Sequence, residues 1–213
     1  MIVISTNIAE PKTIGWNGRQ VQTGIYKNPV TTGIYLGEED VENDHVLDRR
    51  YHGGKDKACY LYSADHYSFW REKYPGLDWQ WGMFGENLTV SGISESVIKI
   101  GDEYRIGEAH VQVSQPRQPC YKLGIRFGTQ DIVRDFWQSE YPGVYVRVLK
   151  PGKVMPNDEM ILLSSDENAM SLAEVFSVFT SNRKNEHMIK RVVSQNFLAQ
   201  SCRNDISKLL NML

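Results

Sequence analysis

In VQVSQPRQPCYKLG, residues 111–124, a nucleophile stands beside cations at the end of a strand pattern. Val111 and Val113 alternate with His110 and Gln112, the period of a pleated strand. Pro116 and Pro119 then deny the chain two amide donors and fix two φ angles. Cys120 follows at once, on a rigid loop of the kind that displays reacting groups. Arg117, Lys122 and Arg126 supply positive charge nearby, which would favour the thiolate, the form that attacks electrophiles and binds soft metals. A cysteine filling a gap beneath a structural turn is the competing reading.

The other two cysteines read differently. Cys59 lies inside the alternating stretch KACYLY, and Cys202 precedes Ile206 and Leu209 by helical spacings, so both are expected to be buried, inert thiols. Three cysteines without a Cys-x-x-Cys pair give neither a disulfide framework nor a structural zinc site.

Two further loops carry polar groups suited to binding. DRRYHGGKDKA, residues 48–58, gathers Arg49, Arg50, His52, Lys55 and Lys57 around Gly53 and Gly54; glycine amides and cations together would hold a phosphate, although a solvated basic turn explains the same residues. MFGENLTV, residues 83–90, sets Gly85, Glu86 and Asn87 between apolar flanks. Asn87 can donate to and accept from a heterocycle edge, or merely stabilise a tight turn. Asp44, Asp48 and His52 recur every four residues as metal ligands on a helix would, but the segment lacks an apolar stripe and reads as a loop.

These loops need a scaffold, and alternation with frequent glycines over the first 165 or so residues predicts a curved antiparallel sheet or barrel. EYRIGEAHVQV predicts a hairpin turning at Ile106-Gly107-Glu108, and Val144, Val146 and Val148 predict another strand. Ser63 is expected to cap a helix carrying Tyr67, Trp70 and Tyr74, and a second helix follows Thr129 with Ile132, Val133, Phe136 and Trp137 as its stripe. After MILLSSDENAM the pattern turns helical. Ser171 and Glu174 form a capping box, and three short helices follow, too few to stand without packing on the β part. The 213 residues and formal net charge of −2 describe an ordinary globular chain without a global drive toward nucleic acid or anionic lipid. No apolar run approaches the roughly 18 residues of a membrane span, and MIVISTNIAEPKT lacks the form of a signal peptide. A soluble cytoplasmic protein is expected.

Taken in order, HGGKDKACYLYS, FGENLTV, GDEYRIGEAHVQVSQPRQPCYKL and YVRVLKPGKV resemble the successive blocks of a MOSC domain, the module related to the C-terminal part of molybdenum-cofactor sulfurase. The helical tail resembles the three-helix extension of the bacterial subgroup containing the 6-N-hydroxylaminopurine resistance protein. The resemblance implies a mainly β fold, a β-barrel with peripheral helices over residues 1–167, followed by a small three-helix bundle over 168–213. It also implies a molybdenum cofactor (molybdopterin), with the thiolate of Cys120 as metal ligand and catalytic group. The candidate cofactor-binding residues are then His52, Gly53, Gly54 and Lys55, the Gly85-Glu86-Asn87 loop, and Arg117, Tyr121 and Lys122, with Arg117 reaching the pterin or its phosphate. Where related chains often carry Gly-Asp this one has Asn43-Asp44; asparagine tolerates left-handed backbone better than most residues, so the turn is expected to persist.

The activity so implied is reduction of small N-hydroxylated bases and related N-oxygenated compounds. A separate electron-donating reductase is also implied, since no flavin, haem or iron–sulfur motif is visible. A sulfur carrier holding a persulfide on Cys120 and a non-catalytic cofactor-binding module would use the same residues. The oligomeric state stays open, a homodimer included.

Overall fold

Alternating β-branched and aromatic residues do form the strands they predict. The computed structural model describes residues 1–45 and 53–212. Its main sheet has eight strands in the order β12-β8-β9-β10-β6-β7-β1-β4, comprising β1 (Ile2–Ile8), β4 (Asn28–Val30), β6 (Cys59–Ser63), β7 (Leu88–Ser91), β8 (Glu103–Ile106), β9 (Ala109–Pro116), β10 (Val144–Lys150) and β12 (Met160–Ser164). Neighbours are antiparallel except β6 and β7, which run parallel. The expected hairpin is β8–β9, with Ile106 opposite Ala109 and Gly107 at φ 54°.

The sheet curls without closing as a continuous barrel. The antiparallel bridge Ile2 to Glu159 and three backbone hydrogen bonds join the start of β1 to the segment entering β12, outside the named ladders, and β4 continues the sheet past β1. Two small ribbons complete the β structure, β5 (Ile34–Leu36) with β11 (Gly152–Val154), and β2 (Lys12–Trp16) with β3 (Arg19–Thr23). The second turns at Asn17-Gly18, both at positive φ. Asn-Gly is the strongest short hairpin signal, and it was legible in the sequence.

A register shift falls next to the cysteine loop. Tyr145 pairs with Gln115 but Val146 pairs with Val113, which leaves Ser114 as an extra residue in β9. Its hydroxyl bonds the carbonyls of Tyr145 (2.9 Å) and Asp56 (2.5 Å). Such a bulge redirects a strand, and here Pro116 ends it two residues later.

The helices follow expectation in part. α1 (Tyr67–Lys73) is preceded by a 3₁₀ turn over Ala64–His66, and Ser63 does not cap it. The Ser63 hydroxyl bonds the Ile93 carbonyl instead, at 3.2 Å, because a buried serine must satisfy its own hydroxyl first. α3 (Asp131–Gln138) buries Ile132 and Phe136. An unforeseen helix, α2 (Tyr121–Phe127), begins directly after Cys120 and closes on left-handed Gly128. Leu123 and Phe127 at helical spacing, with that glycine beyond them, were its signal.

The C-terminal helices share the core of the sheet, and the structure does not set them apart as the expected three-helix bundle. α4 (Leu172–Ser177) packs on β9, while α5 (Glu186–Val193) and α6 (Gln200–Leu210) pack on each other. Leu172, Val192 and Ile206 belong to one buried cluster with Val111 and Val113 of the sheet. Six to eleven residues per helix supply too little apolar surface for a separate core. The capping box itself is present: Ser171 accepts from the Glu174 amide at 3.2 Å, and Glu174 from the Ser171 amide at 2.8 Å. Among the described residues, no helix is long and apolar enough to cross a membrane.

Candidate functional site

Cys120 is half-buried, whereas Cys59 and Cys202 are each 1% exposed. Burial raises the Cys59 thiol well above its ordinary range and pushes Cys202 up to about 12. These two thiols are inert as expected. Cys120 alone opens into clefts, and it opens into two.

The first cleft encloses about 660 Å³, counting space open to solvent. One side is formed by Thr23 at the end of β3 and Gly24 and Ile25 after it, with Lys27, Asp44 and His45 beside them. Gly53, Lys57 and Ala58 come from the glycine turn, Tyr60 from β6, and Gly85 and Asn87 from the loop before β7. Arg117, Cys120, Lys122 and Tyr145 complete the lining. Among the described residues, four cations face it against one carboxylate, Asp44, which is paired with Lys27. The cleft is therefore suited to an anion.

Arg117 gives that suitability a point of attachment. It is 3% exposed, with its guanidinium 5.1 Å from the centre of the Tyr60 ring and 5.2 Å from that of Phe136. Desolvation acts to lower its pKa, but the Tyr60, Tyr145 and Cys120 side chains outweigh it, so the group stays charged. Its Nη1 has no hydrogen-bond partner among the described residues. A buried charged donor left open is costly unless a ligand atom completes it.

The neighbouring loops are held by a polar chain. The Asp44 carboxylate accepts from the Ala9 amide and the Asn87 side chain, each at 2.9 Å, and pairs with Lys27. Asn87 in turn accepts from the Tyr60 amide at 3.3 Å. Asn43 precedes Asp44 at φ 60°, so the turn persists in left-handed geometry with asparagine in glycine's place.

The candidate residues divide into three groups. Gly53, Gly85, Asn87, Arg117, Cys120 and Lys122 converge on the first cleft, with Gly85 at φ 78°. Gly54, Lys55 and Glu86 do not line it. Gly54 shapes the turn, its amide bonding the Glu39 carbonyl at 2.9 Å, and Lys55 points to solvent. Glu86 is fully buried and accepts from the Tyr67 hydroxyl, the Gly82 amide (2.9 Å), the Phe84 amide (3.1 Å) and Thr89 (2.8 Å). Its carboxylate holds the loop from behind. His52 lies outside the described residues, as do Arg49, Arg50 and Asp48.

Tyr121 belongs to a second cleft, of about 1050 Å³ including open space, which shares Lys57, Cys120, Lys122 and Tyr145 with the first. Its far wall is α6, through Ser201 and Asp205. Lys27, Tyr60 and Tyr145 were not among the candidate binding residues read from the sequence, and Lys57 was named only as a cation of the glycine turn. Lys57 had a signal, its place beside the glycine pair; Lys27 had none, because its partner Asp44 is fixed only by the fold.

Comparison with known proteins places the fold. A family model described as MOSC domain matches residues 48–161. YflK of Bacillus subtilis, described as uncharacterized, is 40% identical over 206 residues, covering 97% of this chain and 93% of that one. YiiM of Escherichia coli is 37% identical over 144 residues, 67% of this chain and 64% of YiiM. A Gibberella moniliformis protein named a reductase is 33% identical over 193 residues; the match takes in 86% of this chain but 31% of the fungal one. The crystal structure of YiiM from Geobacillus stearothermophilus is 34% identical and superimposes with a TM-score of 0.83, covering 98% of both chains.

Proposed function

The chain belongs to the MOSC domain family, in the subgroup of the 6-N-hydroxylaminopurine resistance protein YiiM, and from that premise we propose that it is a molybdenum-cofactor-dependent reductase of N-hydroxylated bases and related N-oxygenated compounds. The observation that carries the proposal is Cys120 at the junction of two clefts, one of them cationic and lined by Arg117, whose buried Nη1 lacks a partner among the described residues.

The residues present fit the cofactor. A pterin phosphate is an anion, and Arg117 and Lys122 offer it cationic donors in the first cleft while the glycines keep that wall free of side chains. A cysteine thiolate is a soft ligand of the kind a molybdenum centre accepts. When bound, the cofactor supplies the two-electron chemistry that reduces an N–O group to the amine and water. The chain itself presents the thiolate, neutralises the ligand's charge and shields one side of the centre with the tyrosine-rich wall of Tyr60 and Tyr145. Electrons come from a separate donor; the matching segment of the fungal reductase is 31% of a longer protein, which suits a catalytic module that works with further protein.

Expression in a strain able to make the cofactor, followed by metal analysis, tests the assignment. Wild type is expected to retain molybdenum and to reduce N-hydroxylaminopurine with an artificial electron donor, and Cys120→Ala to do neither. Equal molybdenum in both proteins would remove Cys120 from the ligand role. A cyanide-labile sulfur on Cys120 without bound pterin would instead assign persulfide transfer.

A further inference from the structure

The second cleft has a different chemistry from the first. Among the described residues it carries a carboxylate, Asp205, and two glutamines, Gln115 and Gln118, near the shared Lys57 and Lys122. Resting on the reduction reading above, we propose that this cleft is the substrate subsite. In it Gln118 and Asp205 hydrogen-bond the polar edge of a planar N-hydroxylated heterocycle and so set specificity.

The wall that α6 contributes is fixed in place. Just before the helix, the Ala199 amide bonds the Ser114 carbonyl at 3.0 Å. The Gln200 amide bonds Asp56 Oδ2 at 3.1 Å, and Ser201 donates to Gln115 Oε1 at 3.2 Å. Arg147 adds a bond to the Phe197 carbonyl at 2.8 Å and an ion pair with Asp56 at 2.6 Å. Cys202, Ile206 and Leu209 are buried in the core. That sets the rotation of the helix, and Ser201 and Asp205, four residues apart, share the cleft-facing side.

Donors and acceptors match a base edge. The Gln118 amide makes no hydrogen bond among the described residues and offers both an N–H and a carbonyl. Gln115 is occupied, accepting from Ser201 and donating to the Pro116 carbonyl at 3.2 Å. Asp205 accepts a bond from Lys208 at 2.8 Å, in an exposed pair that a ligand N–H can replace. Tyr121 is stacked on Trp16 with centroids 5.0 Å apart, which stiffens a flat aromatic wall beside Cys120. A hydroxylated aminopurine has ring nitrogens that accept and N–H groups that donate along one edge.

Adenine, the amine formed by reducing 6-N-hydroxylaminopurine, is the probe, with its binding to cofactor-free protein measured by calorimetry. Asp205→Ala and Gln118→Ala are expected to weaken adenine binding about tenfold each, while Lys208→Ala stays within about twofold, as expected of a screened surface pair. In the loaded enzyme the same two variants lose more in KM than in kcat. Adenine binding unchanged in both variants, or absent from wild type at millimolar adenine, overturns the subsite. Arg117→Met, at a residue that lines the first cleft and not the second, keeps the outcomes separate: it is expected to bind adenine while losing molybdenum and turnover. Failure of the reduction reading therefore shows in that variant alone, and failure of the subsite in the cleft variants.

Discussion

Glu86 and Arg117 are both charged side chains withdrawn from water, 0% and 3% exposed, on loops that meet at one site. Around Glu86 the loop is closed on itself, with two backbone amides and two hydroxyls directed at the carboxylate. Around Arg117 there are aromatic faces and a cleft, and one nitrogen has no partner. Full satisfaction of a buried charge fixes a shape, whereas a buried donor left unpaired on a cleft-lining side chain is available to something that arrives later. Burial alone therefore separates neither structural from functional charge; the hydrogen-bond inventory does.

Removing each group should have opposite consequences. Glu86→Ala strands four donors and is expected to cost about 3–5 kcal/mol of stability, read from the urea unfolding midpoint. A loss below about 1 kcal/mol would dissolve the contrast. Arg117→Met keeps the bulk and removes an incompletely paired cation, so its stability should stay within about 1 kcal/mol of wild type. Molybdenum retention, measured on the purified protein, should instead fall about tenfold or more, the equivalent of losing one charge-assisted hydrogen bond.

Asn43 sharpens the comparison because Asp44, next to it, reaches both regions. Asn43→Ala at φ 60° should cost about 1 kcal/mol, and Asn43→Gly much less, by thermal unfolding. The smallest expected effect is graded by pH. Burial raises the Glu86 pKa, outweighing its hydrogen bonds. A carboxyl whose folded pKa is raised contributes stability at low pH that is lost as pH rises through the folded value. Wild type should therefore lose stability relative to Glu86→Gln as pH rises from about 4.5, the ordinary glutamate value, toward neutrality. A difference that is flat with pH would show that the hydrogen bonds, and not desolvation, dominate.

Local chemistry made part of this molecule legible. Pro116 and Pro119 announced where β9 must stop, Ser171 and Glu174 announced a helix start, and both appear as read. The α2 helix escaped because seven residues with an internal glycine barely reach helical periodicity. Glu86 was read as a ligand-facing group because a Gly-Glu-Asn turn does not say which way its carboxylate points. The donors that turn it inward include Tyr67, 19 residues away.

By itself, the sequence determined the β8–β9 hairpin, the β10 strand, the capped start of α4, the inert character of Cys59 and Cys202, and the exceptional setting of Cys120, since these follow from near-neighbour sterics and the period of burial. Only the tertiary structure decided that Arg117 lines a cleft and keeps an unpaired nitrogen, that Lys27 meets Asp44, and that α6 walls the second cleft. Each of those depends on segments far apart in the chain, such as Gln200 and Asp56, 144 residues apart and 3.1 Å between bonded atoms. No local pattern encodes such a distance, because long-range packing, not propensity, sets where side chains finally converge.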